Sequence, residues 1–189
     1  MGIVSFMAET FHILGLSGSL RATSLNSLFL RAMDRVRPEH VAFEIYSRLD
    51  AIPLFNADNE DKCDPDVTHW RSALARADLV LLVSPEYAHG VTGVMKNALD
   101  WIVGSGELTD KPLAFPNLSA RAELAQSQLA ETLQIMGCRQ IEACSPRATL
   151  EAPYVLPDAT EQTLIDHPDI GPRLKALWHN IEHALSVSR

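Results

Sequence analysis

The run Leu79-Val80-Leu81-Leu82-Val83 holds no polar side chain and is bounded by Asp78 and Ser84. A strand with one wet face alternates apolar and polar residues. Five apolar residues in succession mean that both faces are covered. Such a run is the signature of a parallel sheet, whose faces are both covered because the helix that carries the chain back to start the next parallel strand packs on the sheet as it returns. The run therefore demands helices on either side of it in sequence, and strands elsewhere that alternate with helices.

The rest of the chain meets that demand. Phe11–Leu16 is an apolar run of strand length, and Leu25, Leu28, Phe29, Ala32 and Val36 after it are spaced as one helix face. His40–Tyr46 alternates as a strand. Ser47–Asp64 is a long polar connection around Ile52-Pro53-Leu54-Phe55. Pro65 suits the first turn of a helix over Asp66–Arg76. Beyond the central strand, Thr92–Ile102 reads as a helix and Leu113–Leu118 as a short strand that Pro116 interrupts. Ala122–Met136 reads as a helix closed by Gly137 at its C′ position, and Cys138–Cys144 as a last strand. Ala152–Pro157 is extended, and Asp169–Val187 is a C-terminal helix whose apolar side is Leu174, Leu177, Trp178 and Ile181. Five βα alternations, without repeats or linkers, predict a doubly wound parallel five-stranded sheet with helices on both faces. Ligands of such sheets bind beyond the carboxyl ends of the strands, where strand order reverses. The loops after the first and third strands are the informative ones, and order 2-1-3-4-5 places them beside one cleft.

The first of these loops, Ser17-Gly18-Ser19-Leu20-Arg21-Ala22-Thr23-Ser24, lies between a buried strand and a helix start. Free N–H groups and the dipole at a helix N-terminus attract anions. The hydroxyls add donors, and Arg21 offers a planar fork for phosphate. The loop reads as a phosphate clamp for a nucleotide-like cofactor; the plainer reading is a hydrophilic turn with Ser24 as helix cap. No Gly-Lys-Ser/Thr follows, so this is not a Walker A loop, and the G-x-G-x-x-G of dinucleotide sites is missing. Gly15-Leu16-Ser17-Gly18-Ser19 departs from the hydrolase elbow G-x-S-x-G only at Ser19, with no credible Asp and His to follow.

The second loop is Ser84-Pro85-Glu86-Tyr87-Ala88-His89-Gly90-Val91-Thr92-Gly93. Pro85 fixes a turn, and the glycines allow close approach of backbone to a ligand. Tyr87 and His89 are candidates to face a flat ring. Equally, Tyr87 reads as a half-buried aromatic and His89 as a solvated loop residue.

With both loops in view, the chain resembles the NADPH-dependent FMN reductases. Gly18–Asn26 is similar to their phosphate loop. Pro85-Glu86-Tyr87 followed by Gly93-Val94-Met95-Lys96-Asn97-Ala98-Leu99-Asp100-Trp101 is similar to their second signature, over a likeness that runs roughly Phe11–Ser145. Many members carry Asn-Gly where this chain has Ala88-His89, and a glycine-rich third loop where it has Pro116-Asn117-Leu118-Ser119-Ala120-Arg121. The resemblance implies a flavodoxin-like fold over residues 11–189 that binds FMN. Ser17, Ser19, Arg21, Ser24 and Asn26 would hold the phosphate. Pro85, Glu86, Tyr87 and His89 would border the ring, within reach of Ser119 and Arg121. It further implies hydride transfer from NADPH or NADH through FMN to a small acceptor (flavin, quinone, azo compound or metal oxyanion), with no catalytic acid, base or nucleophile on the protein. Lys96 and Asp100, four residues apart on a helix, read as a local ion pair or, by the resemblance, as part of a subunit interface, which implies a homodimer or dimer of dimers. The alternatives are a flavodoxin-like electron carrier and a flavin-free assembly or regulatory protein. Carriers usually have a Thr-rich phosphate loop and lack Lys-Asn-Ala-Leu-Asp-Trp.

The net charge of −8 argues against nucleic acid and anionic membranes as partners. No apolar run approaches a membrane span, and residues 1–10 lack the features of a signal peptide, reading as a flexible extension. Cys63, Cys138 and Cys144 are odd in number and form no C-x-x-C, as expected of reduced thiols in a cytoplasmic protein. His179-Asn180-Ile181-Glu182-His183 fits a zinc pattern but reads as a solvated helix face without a third ligand.

Overall fold

In the computed structural model, residues 10–147, 149–150 and 158–187 are described. The expected N-terminal extension (but for residue 10) and the extended stretch Ala152–Pro157 lie outside them.

The strands are β1 (Phe11–Ser17), β2 (Val41–Ile45), β3 (Leu79–Val83), β4 (Pro112–Ala114) and β5 (Arg139–Gln140). They form one sheet in the order β2-β1-β3-β4-β5, every pair parallel. The helices are α1 (Leu25–Arg35), α2 (Pro65–Arg76), α3 (Gly93–Asp100), α4 (Glu123–Ile135), α5 (Glu161–Asp166) and α6 (Ile170–Val187). As the unbroken apolar run of β3 requires, two cores meet at that strand. Val80 and Leu82 join Leu14, Leu16, Trp70, Met95 and Leu129 on one face. Leu79, Leu81 and Val83 join Ile13, Phe29, Met33, Leu174 and Trp178 on the other. The apolar side expected for α6 is buried, and its Trp178 indole donates to the Met33 carbonyl at 2.9 Å.

Departures from the expected elements have local causes. β4 stops at Ala114 rather than reaching Leu118: Pro116 has no N–H to give a ladder, and the Phe115 N–H donates to Ser145 Oγ at 3.0 Å. Ser145 Oγ in turn donates to the Ile141 carbonyl. A side chain thus stands where β5 would continue, so β5 covers two residues and the chain tightens into a 3-10 turn at Glu142–Cys144. Leu25, expected on the apolar side of α1, is 42% exposed, while Asn26, Leu30 and Met33 are buried. Its position in the first turn puts it at the mouth of the cleft rather than against the sheet. Helix α5, six residues long, is too short to show a period; its signal is the capping box between Thr160 and Thr163. Gly137 is the expected C′ residue, at φ +76°, and the amides of Gly137 and Cys138 close a Schellman motif on Gln134 and Leu133.

The Lys96–Trp101 stretch anchors the long connection between β2 and α2. Asn97 Oδ1 accepts the Phe55 N–H at 2.8 Å, while its Nδ2 donates to the carbonyls of Ile52 and Pro53. The Trp101 indole also donates to Pro53, at 2.7 Å. Asn97→Ala should therefore cost about 2–3 kcal/mol of stability, from several bonds worth about 1 kcal/mol each and an amide left without an acceptor. Chemical denaturation measures this, and a change under about 0.5 kcal/mol would mean that the clamp is dispensable.

Candidate functional site

The two informative loops start side by side because Ser17 and Val83 are register partners at the carboxyl ends of β1 and β3. The Gly18 N–H donates to the Val83 carbonyl at 2.8 Å. A Cβ on Gly18 would stand 2.3 Å from Ser84 Oγ and 2.8 Å from Ser84 Cβ, so only glycine permits this approach.

A cleft of about 290 Å³ opens above this junction. The first loop contributes Ser19, Arg21, Thr23, Ser24, Leu25 and Asn26; the second contributes Ser84, Pro85, Glu86 and Tyr87. Asn117, Leu118, Ser119, Arg121 and Ala122 form the third wall. Of the residues expected from sequence, Ser19, Arg21, Ser24, Asn26, Pro85, Glu86, Tyr87, Ser119 and Arg121 thus come together. Ser17 and His89 do not reach the lining. Ser17 sits beneath the loop, where its Oγ takes the Ser19 N–H and meets Ser27 Oγ at 2.9 Å. The His89 side chain is 82% exposed.

The first loop brings its donors to the cleft. Ser24 caps α1, its Oγ accepting the Ser27 N–H. Ser19 Oγ accepts the Arg21 N–H at 3.4 Å and meets the Tyr87 hydroxyl at 3.3 Å. Among the described residues, the Arg21 guanidinium bonds the Thr23 hydroxyl alone, at 3.3 Å. The N-terminal amides of α1, the buried hydroxyls and a guanidinium without a carboxylate partner make a donor set suited to a phosphate monoester.

The second loop is held by its glutamate. Glu86 Oε2 accepts the Ala125 N–H at 2.9 Å in the first turn of α4, whose N-cap residue, Ala122, has no side-chain cap. Glu86 Oε1 pairs with His89 Nδ1 at 3.2 Å. The Ala125 N–H is the main reason the Glu86 carboxyl titrates below its ordinary value of 4.5; His89 helps and desolvation opposes. Between these anchors the chain turns sharply. Tyr87 and Gly90 exchange backbone hydrogen bonds of 3.2 and 3.0 Å, with Ala88 at φ +50° and His89 at φ +61°. This is the left-handed pair of a type I′ turn, which favours Asn-Gly, and Gln128 Nε2 supports it at the His89 carbonyl.

Sequence reasoning missed Asn117, Ser84 and the capping role of Glu86. Asn117 is buried, accepts the Ser119 N–H through Oδ1 at 3.0 Å and is bonded through its backbone to Pro146 and Thr149. A polar residue after Pro116 at a strand end was the available signal. The other candidate groups lie elsewhere. The cysteines are unpaired, and burial pushes the Cys138 and Cys144 thiols up to about 11, away from thiolate chemistry. His179 and His183 are exposed on α6, and among the described residues no three candidate ligands gather for a metal.

The model of the family described as NADPH-dependent FMN reductase matches residues 11–149. This chain belongs to that family. An NAD(P)H-dependent FMN reductase of Pseudomonas aeruginosa is 35% identical over 133 residues, 67% of this chain and 71% of the relative. A quinone reductase of Escherichia coli K12 is 34% identical over 110 residues, which span 57% of each protein. Among solved structures, the flavoenzyme NAD(P)H:(acceptor) oxidoreductase FerB of Paracoccus denitrificans superposes with a TM-score of 0.72. It covers 92% of this chain and 98% of its own at 22% identity, which supports the flavodoxin-like fold. The chain is thus an oxidoreductase of the FMN reductase class, with FMN as cofactor and NAD(P)H as reductant. Among the described residues, no helix is long and apolar enough to cross a membrane.

The Glu86 contact sets a pH dependence. A carboxyl whose folded value lies below 4.5 contributes stability that is complete above 4.5 and lost as pH falls through the lower folded value. Glu86→Gln should be less stable than the parent at pH 7, and the gap should close at a pH below the lowered folded value. Parallel denaturation curves at both pH values, with an unchanged gap, would remove the charge from the account.

Proposed function

We propose that this protein passes hydride from NAD(P)H through bound FMN to a small acceptor, such as a flavin, quinone, azo compound or metal oxyanion. The observation that carries the reading is the donor set of the first loop facing Tyr87 across a single cleft. In the proposal Ser19, Arg21, Ser24 and Asn26, braced by Ser17, hold the FMN phosphate. Pro85, Glu86 and Tyr87 form the wall at the ring edge, with His89 beyond them on the turn and Ser119 and Arg121 opposite.

FMN supplies hydride acceptance and donation when bound. The protein's own work is to bind and orient. Arg21 and the α1 N-terminus neutralise phosphate charge. The Glu86–Ala125 bond fixes the wall that carries Tyr87. The exposed rim, with Leu20 60% and Tyr87 47% accessible, leaves space for a second flat molecule. One rim that serves reductant and acceptor in turn implies ping-pong kinetics. Residues 11–189 act as one FMN-binding unit in the cytoplasm. The exposed Lys96–Asp100 pair on α3, with Leu54 and Val103 exposed nearby, supports a homodimer or dimer of dimers through that face.

The absorption spectrum of the purified protein with and without added FMN, followed by anaerobic titration with each nicotinamide, tests the cofactor reading. Arg21→Ala should weaken FMN about tenfold to a hundredfold, as expected when a charge-assisted hydrogen bond is lost, and affect riboflavin little. Equal losses for both flavins in a fluorescence titration would count against the clamp. Initial-rate plots should be parallel; intersecting lines would contradict a shared site. Light scattering should show at least a dimer at micromolar concentration, and a monomer would refute the assembly.

A further inference from the structure

The turn of the second loop is made from residues that resist its shape. Ala88 stands at φ +50° and His89 at φ +61°, backbone that glycine adopts freely and that a Cβ disfavours. Asn-Gly would make the same turn with less strain. What His89 brings, and Asn-Gly would not, is an imidazole beside the cleft. Strained backbone of this kind collects at sites of function.

The ring is held in a defined pose. Glu86 Oε1 lies 3.2 Å from His89 Nδ1, and Glu86 Oε2 is itself fixed by the Ala125 N–H at 2.9 Å. A carboxylate only accepts, so Nδ1 donates to it, and Nε2 is left as the nitrogen that can exchange a proton. The side chain is 82% exposed, which opens Nε2 to the rim and to water. From α4, the uncharged Gln128 reaches this turn at the His89 carbonyl.

A quinone needs a hydride and one further proton to become a hydroquinone. The titratable groups that line the cleft are Arg21, Glu86, Tyr87 and Arg121. The arginines do not give up protons. Glu86 is ionised and has both oxygens engaged. The Tyr87 hydroxyl meets Ser19 Oγ at 3.3 Å. His89, one hydrogen bond beyond the lining, is the group suited to give a proton and recover it.

We propose that His89 is a catalytic acid for quinone reduction, its Nε2 delivering the proton that completes the hydroquinone. The inference rests on the FMN reading above and commits to quinones among the acceptors of that cleft. Hydride transfer leaves the quinone as a hydroquinone monoanion. The Nε2–H bond of the imidazolium then breaks, and an O–H bond forms on the anion. Both electrons come from the reductant, and no protein group changes oxidation state. The neutral imidazole, its Nδ1–H still on Glu86, takes a new proton from water.

The test uses FMN-loaded protein, with loading verified by its visible spectrum, reduced anaerobically with NAD(P)H and then mixed with an acceptor. The acceptors are p-benzoquinone, which takes up a proton, and ferricyanide, which takes electrons alone. His89→Gly relaxes the turn and should be no less stable than the parent in thermal denaturation. It should still be reoxidised by the quinone about a hundredfold more slowly, as loss of a general acid provides, while the ferricyanide rate stays within about twofold. Added imidazole should restore part of the quinone rate. Without turnover, dinitrophenolate, a stand-in for the hydroquinone anion, should bind the parent about tenfold more tightly than the variant, as a charge-assisted hydrogen bond provides. An unchanged quinone rate or an unchanged phenolate affinity would overturn the proposal. So would equal losses with both acceptors, which would leave His89 a part of the turn alone, or a loss in Tyr87→Phe and none in His89→Gly, which would assign the proton to the phenol. Protein that takes up no FMN would instead overturn the cofactor reading, so the two failures are distinguishable.

Discussion

The register of β1 against β3 is the constraint on which the site depends. Ser17 opposite Val83 makes two loops leave the sheet at one level, and the absent side chain of Gly18 lets them lie in contact over Ser84. From that point each further bond adds a wall. Ser19 meets Tyr87 across the gap, and Glu86 ties the second loop to α4 and so to the third. The donors of the cleft are therefore arranged by main-chain geometry before any ligand arrives, which lowers the ordering cost of binding.

The sheet was legible because its signal is an accumulation of many apolar positions. Leu79–Val83 announced a strand covered on both sides, and the helix periods around it fixed the layers. What was illegible lay where a single polar atom decides. Nothing in the run Leu113–Leu118 announces that Ser145 Oγ will take the place of a strand partner. The same holds in the cleft. That Ser19, Arg21, Ser24 and Asn26 line the cleft was readable from type and spacing, because hydroxyls and an arginine at a helix start after a buried strand gather where the strand order reverses. The role of Glu86 was not, because its partner, Ala125, is a backbone amide 39 residues away that carries no sequence signal.

The second family signature divides its labour. Its proline, glutamate and tyrosine shape the cleft, whereas Asn97 and Trp101 face the other way and hold residues 52–55. A motif can thus run in a single stretch and still serve two tasks, with the chemistry at one end and the stapling of a long connection at the other. Ala88 and His89 show the reverse economy. The turn keeps its left-handed shape with residues that favour it less than Asn-Gly, because Glu86, itself bonded to α4, holds His89 from within the loop and Gln128 holds it from α4.

Helix α6 carries a consequence for the order of events on the ribosome. It covers one of the two cores, yet it lies beyond residue 149, where the match to the family model ends. The Trp178 indole bonds Met33 across 145 residues of sequence. Until α6 emerges, Phe29, Leu81 and Val83 have no Leu174 or Trp178 to lie against, though every residue of the first loop has long been synthesised. Until then the nascent chain carries one finished core and one incompletely covered apolar face, and contact with a chaperone or with a neighbouring chain is most consequential in that interval.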